Sequence, residues 1–148
     1  MSRCKSAVIA LIVLAGAVLI AVNIDYTDTY VADRFNNALT CGRYETGCTY
    51  SLDSFLEFYD FDEVHVVLPN AHHEFKTRFG LPYHHSVVSD TQWSLVLVKD
   101  EVVVAEIPIE RCFLDHPQDP VCRCFERWAA IIRIVDDGGG PRMEFVGE

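Results

Sequence analysis

Basic residues are scarce in this chain of 148 residues, which has 12 Lys and Arg against 22 Asp and Glu and a net charge of −10. Nucleic-acid backbones and anionic lipid headgroups attract basic patches, so an acidic surface repels both of them. Nucleic-acid binding is therefore the function class that the composition excludes most readily.

The familiar catalytic motifs are also missing. The chain contains no Gly-x-Ser-x-Gly, no phosphate-binding glycine loop and no His-Glu-x-x-His. The run Gly138–Gly140 leads into Pro141 and a further strand pattern, so it offers no helix N-terminus to a phosphate. Internal repeats and low-complexity tracts are absent as well. These absences argue against the common classes of enzyme that use such motifs, but they do not indicate a particular function.

What the chain does have is an apolar N-terminal run. From Ala7 to Ile24 there is no charge, and Asn23 is the one polar residue. A run of this length is at the lower limit for a helix that spans a bilayer. Arg3 and Lys5 precede it, and positive charge on that side predicts that the rest of the chain is translocated.

The chain is accordingly divided into three parts. We expect a signal anchor or signal peptide at 1–24, a juxtamembrane spacer at 25–40 and a single extracytoplasmic α+β domain at 41–148. An uncleaved anchor is preferred, because cleavage after the small residues Ala15–Ala17 leaves a short apolar core. The expected location is the cell membrane, single-pass, with the domain periplasmic or extracellular; a cleaved leader predicts secretion.

The cysteines beyond the apolar run are disulfide candidates, since an exported domain meets an oxidising compartment. Cys41 and Cys48 enclose a short loop with a glycine beside each, which predicts that they pair. Cys112 has two alternative partners, Cys122 and Cys124, and the sequence does not choose between them. The odd count leaves one thiol, either a reactive or redox thiol at Cys122 or Cys124, or an inert or chain-linking one. The full set of candidates is Cys41, Cys48, Cys112, Cys122 and Cys124.

Periodicity predicts an α+β fold: a small, mainly antiparallel sheet of about four or five strands with two short helices. The order of elements also allows one parallel strand pair. The predicted helices are Ser51–Phe58 and Ala71–Phe79, and the predicted strands are Glu63–Leu68, Trp93–Val98, Val102–Ile109, Ala129–Val135 and Arg142–Val146. Trp93 and Trp128 are expected to fill the core.

The stretch Phe58-Tyr-Asp-Phe-Asp-Glu-Val-His-Val-Val-Leu-Pro69, followed by a hairpin Trp-x-Leu-Val-Leu-Val-Lys-Asp-x-Val-Val, resembles a group of small exported or membrane-anchored bacterial proteins. The resemblance covers Phe55 to Ile109. It implies a strand that leads into a helix and then a hairpin, and an exported habit. That group has no established activity, so the resemblance implies no site residues.

Histidines form the one suggestive cluster, at His72, His73, His84 and His85. Imidazole and carboxylate are ordinary ligands of zinc, copper and nickel. Neighbours on a helix point about 100° apart, so a transition-metal site needs one histidine from each pair, with Glu74 or His65. The simpler interpretation is that these histidines are solvated and that the protein has no cofactor. His65 by itself is expected to be a half-buried strand residue.

Acidic residues are paired at two places, before the first strand (Asp60, Asp62 and Glu63) and in a turn (Asp136 and Asp137). Aspartate is common in turns for backbone reasons, so we interpret both sets as structural.

The leading functional hypothesis is a non-enzymatic, membrane-tethered protein that binds or supports another envelope protein. Two alternatives remain open: a histidine-based metal-binding protein, and a thiol-dependent enzyme that uses the odd cysteine. The expected partners are thus a single-pass membrane segment and an envelope protein, with no nucleic acid.

Overall fold

The computed structural model describes residues 2–23, 29–42, 44–69, 71, 73–87, 89–118 and 124–147. Within them the chain is α+β, as predicted, but the strands form two antiparallel sheets instead of one. The helices are α1 (Ser2–Asn23), α2 (Thr29–Thr40) and α3 (Leu52–Phe55), with a 3-10 turn at Arg127–Ala129. The strands are β1 (Thr49–Ser51), β2 (Glu63–Val67), β3 (Gln92–Lys99), β4 (Val102–Glu110), β5 (Cys124–Glu126), β6 (Ile131–Asp136) and β7 (Pro141–Phe145).

Helix α1 covers most of the region expected to be a signal anchor or signal peptide. Its apolar side chains, Val8 and Leu11 among them, are more than half exposed. Across the parts of the chain that the structure describes, no helix has both the length and the apolar character needed to cross a membrane. The single-pass segment stays a prediction from the sequence, without structural support.

Helix α2 occupies most of the stretch expected to be a spacer at 25–40. It packs along β4, and its Val31 and Phe35 are fully buried in the main core. These residues and Ala38 recur at helical spacing, which gives the helix an apolar stripe that has to be covered. The helix therefore belongs structurally to the domain that we expected to begin at 41.

The hairpin β3–β4 is the longest strand pair and confirms the prediction for this region. Lys99 pairs with Val102, so only two residues form the turn. Both of them, Asp100 and Glu101, have positive φ, at 51° and 64°. Two successive left-handed residues make the turn whose twist matches that of antiparallel strands.

The larger sheet has the order β4-β3-β2-β5, and its two faces meet different surroundings. Its inner face, with Leu95, Leu97 and Ile107, packs in the main core. Its outer face carries Glu63, His65, Val96 and Glu106, because side chains alternate along a strand and partners in register share a face. Residues 73–87, here called the covering segment, lie over this outer face, where Phe75 and Tyr83 pack with the valines of β2, β3 and β4.

The smaller sheet has the order β1-β6-β7 and confirms the second predicted hairpin. Met143 of β7 is fully buried and Phe145 is partly buried, as the predicted alternation requires. Every pair of named strands in the described residues is antiparallel, so the parallel pair that we allowed does not occur there.

The predicted helix Ala71–Phe79 is wrong. The chain there folds back on itself instead: the Tyr83 amide donates to the carbonyl of Phe75 at 2.9 Å, and Gly80 has φ of 74° at the turn. Burial of Phe75 against the outer face overrides a local helix preference that has no packing partner of its own. The first predicted helix is shorter than expected, since Glu57 and Phe58 have positive φ and end it.

The two tryptophans have opposite environments. Trp93 is fully buried, and its indole N–H donates to the Leu114 carbonyl at 2.8 Å. Trp128 is 71% exposed, so its placement in the core was wrong. Its indole N–H instead bonds the neighbouring Glu126 carboxylate at the surface.

Candidate metal centre

The four histidines that the sequence singled out do not form one site. His72 lies outside the described residues. His84 is exposed, and His85 is half-buried with its Nε2 3.4 Å from the Ala71 carbonyl oxygen. Neither belongs to a metal-ligand group within the described part of the chain, whereas His73 lies over the outer face beside His65.

A different set of ligand atoms does come together: a carboxylate, an imidazole and a thiol on the outer face. Glu63 and His65 are two apart on β2, so both point to that face. Strand β5 pairs antiparallel with β2 and places Cys124 directly opposite His65. Strand pairing alone thus brings together residues that are 59 positions apart in the chain.

The three ligand atoms are nearly equidistant. The Cys124 Sγ lies 3.4 Å from His65 Nε2 and 3.6 Å from Glu63 Oε2. His65 Nε2 and Glu63 Oε2 are 3.2 Å apart. In a tetrahedral zinc site, bond lengths of about 2.0–2.3 Å place the ligand atoms roughly 3.3–3.7 Å from one another. The triangle that these residues form therefore fits around one ion of this kind.

The hydrogen bonds among the three groups also bear on this interpretation. The thiol and the carboxylate both approach Nε2 of His65. A neutral imidazole nitrogen either donates one hydrogen bond or accepts one, and the thiol also has the Glu63 carboxylate as an acceptor. In a thiol–imidazole–carboxylate triad the acid orients the opposite ring nitrogen, which this Glu63 does not do. A cation at the centre of the triangle satisfies all three groups.

The site is closed on one side and open on the other. Phe75 meets the His65 ring edge-on at 5.0 Å between centroids, and the His73 ring stacks on Phe75 at 4.9 Å. The His65 side chain is only 19% exposed, whereas that of Glu63 is 45% exposed and Cys124 is exposed. An ion has a route to the ligands from the Cys124 side, and an apolar wall supports the imidazole behind them.

The remaining cysteines show no chemistry of this kind. Cys41, Cys48 and Cys112 are free, exposed thiols, and no two cysteines of the described residues lie at disulfide distance. Cys122 lies outside those residues. The pairing of Cys41 with Cys48, and of Cys112 with Cys122 or Cys124, stays a prediction for the oxidised protein.

Asp60, Asp62 and Asp137, three of the acidic residues that we interpreted as structural, have structural contacts. Asp62 accepts the Asp100 amide at 2.9 Å and so holds the β3–β4 turn. A hydrogen bond from Lys99 lowers the pKa of Asp60, and one from Arg142 lowers the pKa of Asp137. Asp60, Asp62 and Asp137 thus have cationic or amide partners, whereas Glu63 lies beside an imidazole and a thiol.

The sequence reasoning weighed His65 and Glu63 separately and missed their combination with Cys124. One signal was present: Glu-x-His on a predicted strand places both side chains on one face. The contribution of Cys124 had no local signal, because it depends on which strand pairs with β2.

Comparisons with protein-family models, with curated proteins and with solved structures find no match to this chain. The resemblance to small exported bacterial proteins therefore stays a prediction, and the candidate site rests on its own geometry.

Proposed function

We propose that this chain is an extracytoplasmic protein that binds one divalent transition-metal ion through Glu63, His65 and Cys124. The observation that carries the proposal is the convergence of carboxylate, imidazole and thiol atoms within 3.2–3.6 Å of one another on two paired strands. Strands hold ligands more rigidly than loops, so the site is largely preformed.

Zinc is the ion that the donor set fits best. A thiolate excludes calcium and magnesium, which take oxygen ligands, and a carboxylate is a poor ligand for copper(I). Zinc and its spectroscopic substitute cobalt(II) accept sulfur, nitrogen and oxygen in one tetrahedral shell. Metal binding through histidine was one of the hypotheses from the sequence, with His72, His73, His84 and His85 as candidate ligands. The ligands proposed here lie instead on two paired strands.

The test is metal analysis of the full chain, purified reduced and without chelators or metal-charged resin. We expect about one zinc per chain after titration and dialysis. Cys124→Ser should lose it, because a hydroxyl stays protonated and is a weak ligand. Cys112→Ser is the matched control, an exposed thiol away from the site, and it should bind like the wild type.

Two results would overturn the proposal. One is a wild-type chain that retains no zinc and shows no binding in a titration. The other is equal loss of zinc in the Cys124 and Cys112 variants, which would place the metal on surface thiols in general.

A second candidate is the thiol-dependent enzyme, which the 3.4 Å approach of Cys124 Sγ to His65 Nε2 favours. The two candidates differ in their response to metal. A thiol that serves only catalysis keeps its rate of alkylation when one equivalent of zinc is added, whereas a ligand thiol is protected by the zinc.

Export, and attachment to an envelope protein partner, are proposals that rest on the charge pattern around the N-terminal apolar run. Exposed aromatic side chains, Phe113 at 69% and Trp128, are of the kind that contact other proteins. Crosslinking in intact cells tests this proposal, and failure to recover any reproducible partner would contradict it.

A further inference from the structure

The ligands Glu63, His65 and Cys124 leave one position of a tetrahedral ion open. Catalytic zinc sites keep such a position for water, whereas structural sites fill it with a fourth protein ligand. Which class this site belongs to depends on whether a further side chain reaches the ion, and the covering segment is the part of the chain that packs against His65.

His73 is the histidine of the covering segment whose ring lies beside His65. Its ring centroid lies 6.4 Å from that of His65, with the two rings nearly perpendicular at 78°. Its Nε2 is shielded from solvent. Two imidazoles that bind one zinc ion have ring centroids roughly 5 Å apart, since each nitrogen lies about 2 Å from the metal. The His73 and His65 rings are therefore about 1 Å farther apart than two imidazoles on one zinc ion.

The covering segment is anchored on both sides of its turn, so this approach does not require the segment to refold. The Lys76 carbonyl accepts the Val103 amide at 3.0 Å. Further along, Tyr83 and Ser86 donate to the buried Glu106 carboxylate at 2.5 and 2.8 Å. His73 precedes the first of these anchors, and its ring stacks on that of Phe75, which itself contacts His65.

We propose that His73 is the fourth metal ligand, which closes the site as Glu63–His65–His73–Cys124. This inference rests on the proposed function and deepens it: a closed shell leaves no metal-bound water. The ion then either holds the covering segment and β5 onto β2 or is cargo that the protein transports. It does not catalyse hydrolysis.

Cobalt(II) titration of the full, reduced chain tests the inference. The wild type should show the intense visible absorption of a four-coordinate site and a sulfur-to-cobalt charge-transfer band. His73→Ala should bind at least about tenfold more weakly, by analogy with the loss when even an outer partner of a ligand is removed. His84→Ala, which removes an exposed histidine of the same segment, is the control and should match the wild type.

Added imidazole separates a ligand from a residue that only supports the fold. In His73→Ala, free imidazole should fill the vacated position and restore the wild-type spectrum, because it supplies the missing nitrogen. It should leave the wild-type and His84→Ala spectra unchanged, because their shells are already complete.

The outcomes distinguish the two claims. A wild-type chain that binds neither cobalt nor zinc contradicts both the proposed function and this inference. A wild type that binds cobalt, with His73→Ala equal to it in affinity and spectrum, overturns only the fourth ligand. It would leave an open site of three protein ligands and water.

Discussion

The carboxylate of Glu106 is the strongest polar anchor beneath the covering segment, and replacing it by Gln is the sharpest test of that packing. Glu106 is 7% exposed, and its oxygens accept hydrogen bonds from the Tyr83 hydroxyl, the Ser86 amide and the Ser86 hydroxyl. All of these groups are donors. The amide NH2 of Gln brings a further donor into a site that needs only acceptors.

The expected cost follows from these bonds. Hydrogen bonds to a charged group contribute about 1.5–3 kcal/mol each, against about 1 kcal/mol for neutral ones, so one lost and two weakened bonds cost roughly 2.5–7 kcal/mol. A neutral amide is cheaper to bury than a carboxylate, which offsets part of this loss. We therefore expect Glu106→Gln to lower the free energy of unfolding by about 2 kcal/mol and the melting temperature by about 4–8 °C.

Urea unfolding followed by circular dichroism and by tryptophan fluorescence measures this change, since Trp93 is buried in the core. Glu101→Gln is the matched control: Glu101 is exposed in the β3–β4 turn, and its variant should stay within about 0.5 kcal/mol of the wild type. A Glu106→Gln chain as stable as this control would refute the reasoning, because it would mean that the three donors find other acceptors at no cost.

Two further predictions concern the surface of the domain. A hydrogen bond from Arg111 lowers the pKa of Asp115 below its ordinary value of 3.8, so the carboxylate adds stability above that pH and loses it as the pH falls through the lowered pKa. Asp115→Asn should therefore destabilise the chain at pH 7, by at most about 1 kcal/mol because the pair is partly exposed. The difference in stability between variant and wild type should vanish in strong acid. A difference that persists there would contradict the ion pair. In the β3–β4 turn, Glu101→Gly should raise the free energy of unfolding by about 1 kcal/mol, because φ of 64° strains any residue with a Cβ. A loss of stability in the same urea assay would show that Glu101 is not strained.

The parts of the fold that the sequence predicted well are those that local pattern decides. The hairpins β3–β4 and β6–β7 each combine alternating or continuous apolar runs with a short turn, and both were predicted nearly to their ends. The covering segment was mispredicted because its conformation depends on burial of Phe75 and Tyr83 against a sheet face that no local pattern reveals. The sequence predicted one sheet where the structure has two, and the reason is the same. Strands that pair across long stretches of chain are selected by packing of the whole core.

The candidate site shows the same limit. Glu63 and His65 share a face by the two-residue period of a strand, which the sequence does reveal. Their thiol neighbour comes from a strand of only three described residues, which the sequence did not predict. The histidine pairs drew attention because they are adjacent in the chain, yet of the three that the structure describes it is His73 whose ring lies beside His65. Proximity in sequence was a poor guide to a site assembled by strand pairing.

Strand pairing also explains why an ion would be useful at this place. Strand β5 is held to β2 by only three residue pairs, and one of them sets Glu63 directly opposite Glu126. Like charges at paired positions weaken a sheet. A divalent cation bound by Glu63 and Cys124 neutralises one of these charges and ties the two strands together where their pairing is weakest. The proposed metal would therefore stabilise the edge of the larger sheet, and its removal should destabilise β5 before the other strands.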